Sequence, residues 1–299
     1  QPAGTFRFNV PLRNAEFAFV PRYLQKPSEK PWPTLQQLDG TLVFDKDSLS
    51  VLNATGRFST SADVAIHNLA AHIPKLGDDL VVGLAAQLRG PLDQTLQVTN
   101  QSPLSDLLGN SLEKTTATGV ADMSLALGLP VMRMRDAQVK GSVQLNNNDI
   151  RMSPESPLLT KSQGQIAFNE RGFTLQKVSA QVMGGPAVLE GGTTATKPGQ
   201  KMEVLIRAKG DFTGEGLHQE TALGSISRLG QFLHGRSAYN ATIQVRNGVL
   251  ELTIDSDLTG MGMRMPYPLA KTPGEKLPFH YSTRAIAPSG RHKQGHITE

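Results

Sequence analysis

The sequence contains no cysteine, which excludes disulfides, thiolate nucleophiles and zinc sites of the cysteine type. Aromatic residues make up only 5% of it, with a single tryptophan, Trp32. No apolar run approaches the ~20 residues needed to cross a bilayer as a helix. No charged start followed by an apolar segment reads as a secretory signal. The chain opens at Gln1 in what reads as the middle of a folded region, so it is taken as a piece of a longer protein. Thirty Lys and Arg stand against 26 Asp and Glu, a net charge of +4. No run of like charge is long enough for a nucleic-acid arm, and no helix-turn-helix, finger or ribonucleoprotein motif accompanies the basic residues, so nucleic acid is not an expected partner.

Catalytic signatures are missing as well. Gly224-Ser225-Ile226 begins like a nucleophile elbow but continues into Ser227. His218-Gln219-Glu220 lacks the second histidine of a zincin helix, His67, His72 and His234 are scattered without a ligand cluster, and His292 and His296 sit in a tail of Arg, Lys and Gln with no acidic partners nearby. Gly184-Gly185 and Gly191-Gly192 do not open a helix after a strand, so they read as bends and not as phosphate cradles. The acid pairs Asp45/Asp47 and Asp255/Asp257 fall at strand ends, where Asp is ordinary turn chemistry. A glycoside hydrolase would want sugar-stacking aromatics beside such a pair, and none is there. No enzyme activity, metal or cofactor is expected.

What is present is a repeated template. From Gly164, apolar residues fall at Ile166 and Phe168, then at Phe173 and Leu175, around the polar Asn169-Glu170-Arg171-Gly172. Two strands of period 2 joined by a turn make a hairpin. The same offsets from Gly40 give Leu42, Phe44, Leu49 and Val51 around Asp45-Lys46-Asp47-Ser48. From Gly141 they give Val143, Leu145, Ile150 and Met152 around Asn146-Asn147-Asn148-Asp149, and from Ala241 they give Ile243, Val245, Leu250 and Leu252 around Arg246-Asn247-Gly248. Each copy keeps one face apolar and puts Thr, Gln, Ser, Asn and Lys on the other. Closed on itself, that face would make a sandwich or barrel; left partly open, it would make a long groove.

Between these units, residues 5 to 23 read as two strands split by Pro11 to Asn14, and Gln25 to Pro33 as a loop in which Trp32 anchors onto the sheet. Thr95 to Thr99 continues the strand pattern after a break at Gly90-Pro91. Ser102 and Pro103 open a short helix over Leu104 to Leu112. Leu223, Ile226, Leu229 and Leu233 recur at helical steps, giving an amphipathic helix over Leu217 to Leu233 that Gly235 ends, placed to cover one end of the sheet. Met261, Met263 and Met265 share one face of an extended segment beside Pro266 and Pro268.

Several stretches together resemble one family. Ser256-Asp257-Leu258-Thr259-Gly260, followed by Pro266-Tyr267-Pro268-Leu269-Ala270-Lys271, is similar to the "SDL-G … LP-PL-K" signature of the YhdP-type AsmA-like proteins of the Gram-negative envelope. Gly164 to Gly185, Ser102-Pro103-Leu104, and Leu38 to Asp45 resemble further points of that family's central region, in the same order. The likeness covers most of residues 10 to 280; Met265 stands where leucine is usual, and the tail after Tyr281 has no counterpart. The resemblance implies a periplasmic segment of a long protein held in the inner membrane by parts absent here, moving phospholipid between membranes along a β-groove, with no catalytic residue to carry over.

The expectation is therefore a mostly-β, elongated and twisted antiparallel sheet of repeated hairpins forming a groove, with two short helices. Residues 1–210 would form the hairpin segment, 211–236 a helical cover and 237–299 a continuing β segment with a polar tail. Phospholipid acyl chains would lie on the apolar positions of the four templates, Leu42, Phe44, Leu49, Val51, Val143, Leu145, Ile150, Met152, Ile166, Phe168, Phe173, Leu175, Ile243, Val245, Leu250 and Leu252, with the three methionines as additions. The alternative is a closed-core structural or protein-binding β module in which those residues are interior.

Overall fold

The structure, a computed structural model, describes residues 6–18, 20–77, 80–133, 136–154, 156–194, 203–246 and 249–286. Its strands are β1 (Arg7–Phe17), β2 (Leu35–Asp45), β3 (Ser48–Phe58), β4 (Ser61–Ile73), β5 (Val81–Pro91), β6 (Thr116–Thr118), β7 (Val120–Pro130), β8 (Gln138–Arg151), β9 (Leu159–Asn169), β10 (Gly172–Val182), β11 (Gly185–Thr194), β12 (Glu203–Thr213), β13 (Leu233–Arg246), β14 (Val249–Ser256), β15 (Met261–Met263) and β16 (Phe279–Ile286). Each strand pairs antiparallel with the next along the chain, save that β6 lies on β8 and β15 on β13, so that one sheet takes in all sixteen. Among the described residues β1 and β16 pair on one side only, and the sheet is open. Short helices α1 (Leu92–Asn100) and α2 (Leu104–Leu107) connect β5 to β6; α3 (Gly214–Gln219) and α4 (Ser225–Leu229) connect β12 to β13.

Three of the four repeated templates are hairpins with the expected facing pairs. Leu42 faces Val51 and Phe44 faces Leu49; Ile166 faces Leu175 and Phe168 faces Phe173; Ile243 faces Leu252 and Val245 faces Leu250. Asn247 and Gly248 of the last turn lie outside the described residues. The Gly141 template is corrected: Val143, Leu145 and Ile150 belong to the single strand β8, and Met152 lies just past its end. Asn147 takes a left-handed backbone (φ 62) as the extra residue of a β-bulge, not as a turn. Asparagine tolerates that conformation in either setting, which is why the sequence misleads here. The neighbouring Asn148 is fully buried, and its side-chain amide donates to the carbonyls of Thr118 and Val120 (3.0 and 3.3 Å) where Gly119 interrupts the adjacent strand.

Bulges of this kind recur. Gln37, Asn53, Asn68, Asn147, Lys161 and Lys177 all have φ between 50 and 62, one in each of β2, β3, β4, β8, β9 and β10, at shifts of register. Each bulge adds one residue, bends its strand and increases the twist. It also keeps the apolar set on one side across an odd step: Val51 then Ala54, Ile66 then Leu69, Leu175 then Val178. The same device makes residues 7 to 17 one edge strand where two were expected. Asn14 (φ 47) is the irregular residue, its N–H donates to Asp39 Oδ1 (3.0 Å), and Pro11 is tolerated because β1 is an edge.

Three further expectations change. Thr95 to Thr99 is helical within α1, where Leu92 and Val98 are buried and tertiary packing overrides β-branched propensity. The helix after Pro103 stops at Leu107. The Leu217 to Leu233 helix is broken into α3, α4 and two 3-10 turns, because Gly224 (φ 59) cannot be spanned by a continuous helix; Gly235 lies within β13.

At the covered end of the sheet, the Tyr239 ring meets Phe212 edge-on at 6.2 Å and is 4% exposed. Burial, aided by the charge of Asp211, pushes its phenol up from 10.0 to about 12. Below pH ~10 the phenol is neutral in both states and its full contribution is present. Above that the unfolded chain ionises first, so stability falls until the native phenol ionises near 12, by roughly 2–3 kcal/mol. The expected result is a urea midpoint that drops between about pH 9 and pH 11.5, and a smaller drop in Tyr239→Phe; equal drops would remove Tyr239 from the account.

Candidate functional site

The bulges and the antiparallel register place one unbroken row of residues across ten strands. Ile66 faces Leu88, Leu88 faces Met123, Met123 faces Val143, and Val143 faces Ile166. The row continues through Leu175, Gly191, Ile206, Ile243 and Leu252. Every member is apolar except Gly191, which has φ +117 and whose missing side chain lets the carbonyl of Leu205 come close. A parallel row runs through Leu125, Gly141, Phe168 and Phe173, with the Phe168 ring resting on the Gly141 backbone. On the opposite face the corresponding row is polar: Arg89, Asp122, Gln144, Gln165, Gln176, with Arg89 Nη1 donating to both Asp122 oxygens at 2.6 and 2.8 Å.

The row is not uniformly open. Ile66, Leu88 and Met123 are buried, whereas Val143, Ile166, Leu175, Ile206, Ile243 and Leu252 are each partly exposed. From β8 to β14 the open stretch crosses six strand spacings, about 29 Å at ~4.8 Å each. That is close to the ~30 Å hydrocarbon thickness of a bilayer. The side chains one step toward α3 and α4 are buried: Leu145, Val178, Leu189, Ala208 and Ala241. A wall therefore bounds the open strip on that side.

Of the sixteen residues singled out in the sequence, eleven are partly exposed on this face: Leu42, Phe44, Leu49, Val143, Ile166, Phe168, Phe173, Leu175, Ile243, Val245 and Leu252. Val51, Leu145 and Ile150 are buried, and Met152 is exposed beyond the strand end. The side chain of Leu250 lies outside those described. Val204 and Ile206 of β12 complete the face and were not singled out, although they alternate like the rest; β12 has no repeated turn after it to reveal its partner. Met261 is fully buried and Met263 and Met265 partly so. Their segment is tied down by the buried Lys271, whose Nζ donates to the carbonyls of Leu258, Met261 and Thr272 (2.7, 2.7 and 3.1 Å).

Asp255, Asp257, His72 and His218 have ordinary partners. Asp255 meets His280 Nδ1 at 2.7 Å. The carboxyl of Asp257 is held below its usual value by the backbone N–H of Thr259 and by Lys276. His72 meets Ser50 Oγ at 2.8 Å, and His218 meets the Ser227 carbonyl at 3.2 Å. His292 and His296 lie outside the described residues. Among the described residues no three His, Asp or Glu side chains converge as a metal site, and no helix is long and apolar enough to cross a membrane. What this face can do is solvate apolar chains.

Comparison with known proteins adds two matches. A family model described as "YhdP protein" matches residues 1–294. The "Intermembrane phospholipid transporter YhdP" of Escherichia coli (strain K12) is 26% identical over 285 residues, which is 92% of this chain and 20% of that relative. The chain thus spans about a fifth of the length of the curated relative it matches. No solved structure matches.

Proposed function

Because the chain belongs to the YhdP family, we propose that it is a segment of a lipid-transfer conduit whose apolar face carries phospholipid acyl chains between two membranes. The observation that carries this is the partly exposed apolar row across seven consecutive strands, β8 to β14. A strip of that length stays exposed to water only at a cost, and an apolar ligand removes the cost. Burying ~30 lipid methylenes at about 0.8 kcal/mol each is worth roughly 24 kcal/mol against water, but nearly nothing against a bilayer, where those methylenes are already dry. Near-neutral exchange is what a conduit needs and an enzyme pocket does not. The likeness to an intermembrane phospholipid transporter supports a place between inner and outer membranes, in the periplasm, with membrane contact made by other parts of the parent protein. No catalytic step is assigned to any residue.

A closed-core reading keeps one observation in its favour: over β4, β5 and β7 the same row is buried beneath α1, α2 and Trp32. Native mass spectrometry with organic extraction separates the two. Co-purified phospholipid that disappears in a folded Phe168→Asp variant is the expected result. A lipid-free protein, or one whose lipid survives that substitution, would overturn the conduit.

A further inference from the structure

Two covers sit on the apolar face, and they are fastened differently. The α3–α4 cover is pinned by polar groups. Thr213 Oγ1 accepts the Gly216 N–H (3.0 Å) as an N-cap, and the buried Glu220 takes Arg151 Nη1 (3.3 Å) and the Leu158 N–H (2.9 Å) across the sheet end. The second cover, α1 and α2 with the loop carrying Trp32, holds on mainly by apolar contact. Trp32, Leu92, Val98 and Leu104 are buried against the sheet. Neither helix has a side-chain N-cap, α2 is four residues long, and Asn100 Oδ1 is buried without a hydrogen-bond partner. Short uncapped helices have little stability of their own, and an unpaired buried oxygen lowers it further.

The sheet beneath does not depend on this second cover. β5 and β7 are paired along their whole length, from Val81 with Pro130 to Pro91 with Val120. Helices α1 and α2 are thus an insertion between two strands that are already neighbours. The insertion is closed off where the Leu92 N–H donates to the Gly119 carbonyl (2.9 Å), and its return arm is fixed by β6 on β8, so the part free to lift lies before Thr116. Lifting the cover breaks no β5–β7 ladder bond. Under it lies an apolar cavity of about 40 Å³, lined by Trp32, Phe58, Ile66, Leu88, Leu104 and Leu125 among others. Such a space stays dry and holds no more than a small apolar group.

We propose that the face over β4, β5 and β7 is a second alkyl-chain site, occupied when the α1–α2 flap lifts, so that the row from Ile66 to Leu252 becomes continuous. This rests on the reading that the open strip solvates acyl chains. The ligand class is one hydrocarbon tail of a phospholipid.

The absence of native cysteine makes a lock clean. Gln94 Nε2 donates to Asp63 Oδ2 (2.8 Å), joining α1 to β4 on the solvent side. Asp63→Cys with Gln94→Cys, bridged by a short thiol crosslinker, holds the flap down. Vesicles containing a phospholipid with a diazirine in its tail supply the probe, and peptide mass spectrometry locates the adducts. With the thiols free, adducts are expected on β5 and β7 as well as on β12 and β13. Bridging should cut the β5 and β7 adducts about tenfold and leave β12 and β13 unchanged, since access scales with the open fraction. Trp32→Ala, which removes the indole that lines the cavity with Val98 and Leu104 of the flap, should raise the β5 and β7 adducts and gives a second measurement if bridging is incomplete. Adducts on β12 and β13 alone, or β5 and β7 adducts indifferent to both changes, overturn the flap. Adducts nowhere overturn the conduit reading and this site with it.

Discussion

Ile206→Asp is expected to leave a folded protein that has lost its lipid, while Leu189→Asp is expected to unfold. The two positions lie on the same face of adjacent strands, two steps apart across the β11–β12 ladder. Leu189 is 6% exposed, flanked by Val178 and Ala208, so a carboxylate there is buried and unpaired, at a cost of several kcal/mol. Ile206 is partly exposed beside Gly191 and Ile243, and its carboxylate can reach water, at a cost of about 1 kcal/mol from lost apolar contact. The charge would then sit in the middle of the open strip, where each acyl chain has to cross it. Thermal melts by circular dichroism, paired with native mass spectrometry, read both effects. If both variants unfold, the strip is interior and the sheet is closed over it. If Ile206→Asp folds and keeps its lipid, acyl chains do not follow this row.

The contrast between these two residues also marks how far the sequence could be read. Alternation alone located the apolar face, because Leu42/Phe44, Ile166/Phe168 and Ile243/Val245 each precede a polar turn that names their partner strand. It could not tell open from covered. That difference depends on where α1, α2, α3 and α4 dock, contacts made between residues far apart in the chain. Asn147 shows a second limit: an asparagine between two apolar runs is equally compatible with a turn and with a bulge, and only the pairing of β8 with β7 and β9 together decides. A signal was there to be used. Leu38 follows Leu35 by three residues, Ala54 follows Val51, Leu69 follows Ile66, and Val178 follows Leu175. One odd step inside an otherwise period-2 run, with a polar Gln, Asn or Lys within it, is what a bulge leaves in a sequence. Read that way, the templates would have extended into whole strands. The α1 helix left no comparable trace: Thr95, Val98 and Thr99 favour a strand, and only the burial of Leu92 and Val98 makes the segment helical.

Glu220→Ala should be among the most destabilising single changes in the chain, although Glu220 touches no acyl-chain position. Its carboxylate accepts from Arg151 Nη1 and from the Leu158 N–H, and its side chain is 8% exposed against 28% for Arg151. Removing it leaves the Leu158 N–H without its acceptor and takes the counter-charge from a largely buried Arg151, whose Nη1 keeps the Ser156 carbonyl (2.8 Å), a loss of about 2–3 kcal/mol. At this chain length that is a fall of roughly 3–5 °C in Tm. Glu220→Gln keeps an acceptor for Leu158 and should lose less. Arg151→Met with Glu220→Leu should recover much of the loss, because an apolar pair of similar volume has no charge to desolvate. The deficit belongs to the α3–α4 cover: loosening it exposes apolar side chains that the cover buries, Leu217 among them, so a fluorescent hydrophobic dye should bind Glu220→Ala more strongly than the parent. A loss under 1 kcal/mol, or no recovery in the double variant, would mean that apolar contact holds this cover as it holds the other. The wall of the open strip would then be as movable as the flap, and the distinction between a fixed side and a lifting side would fail.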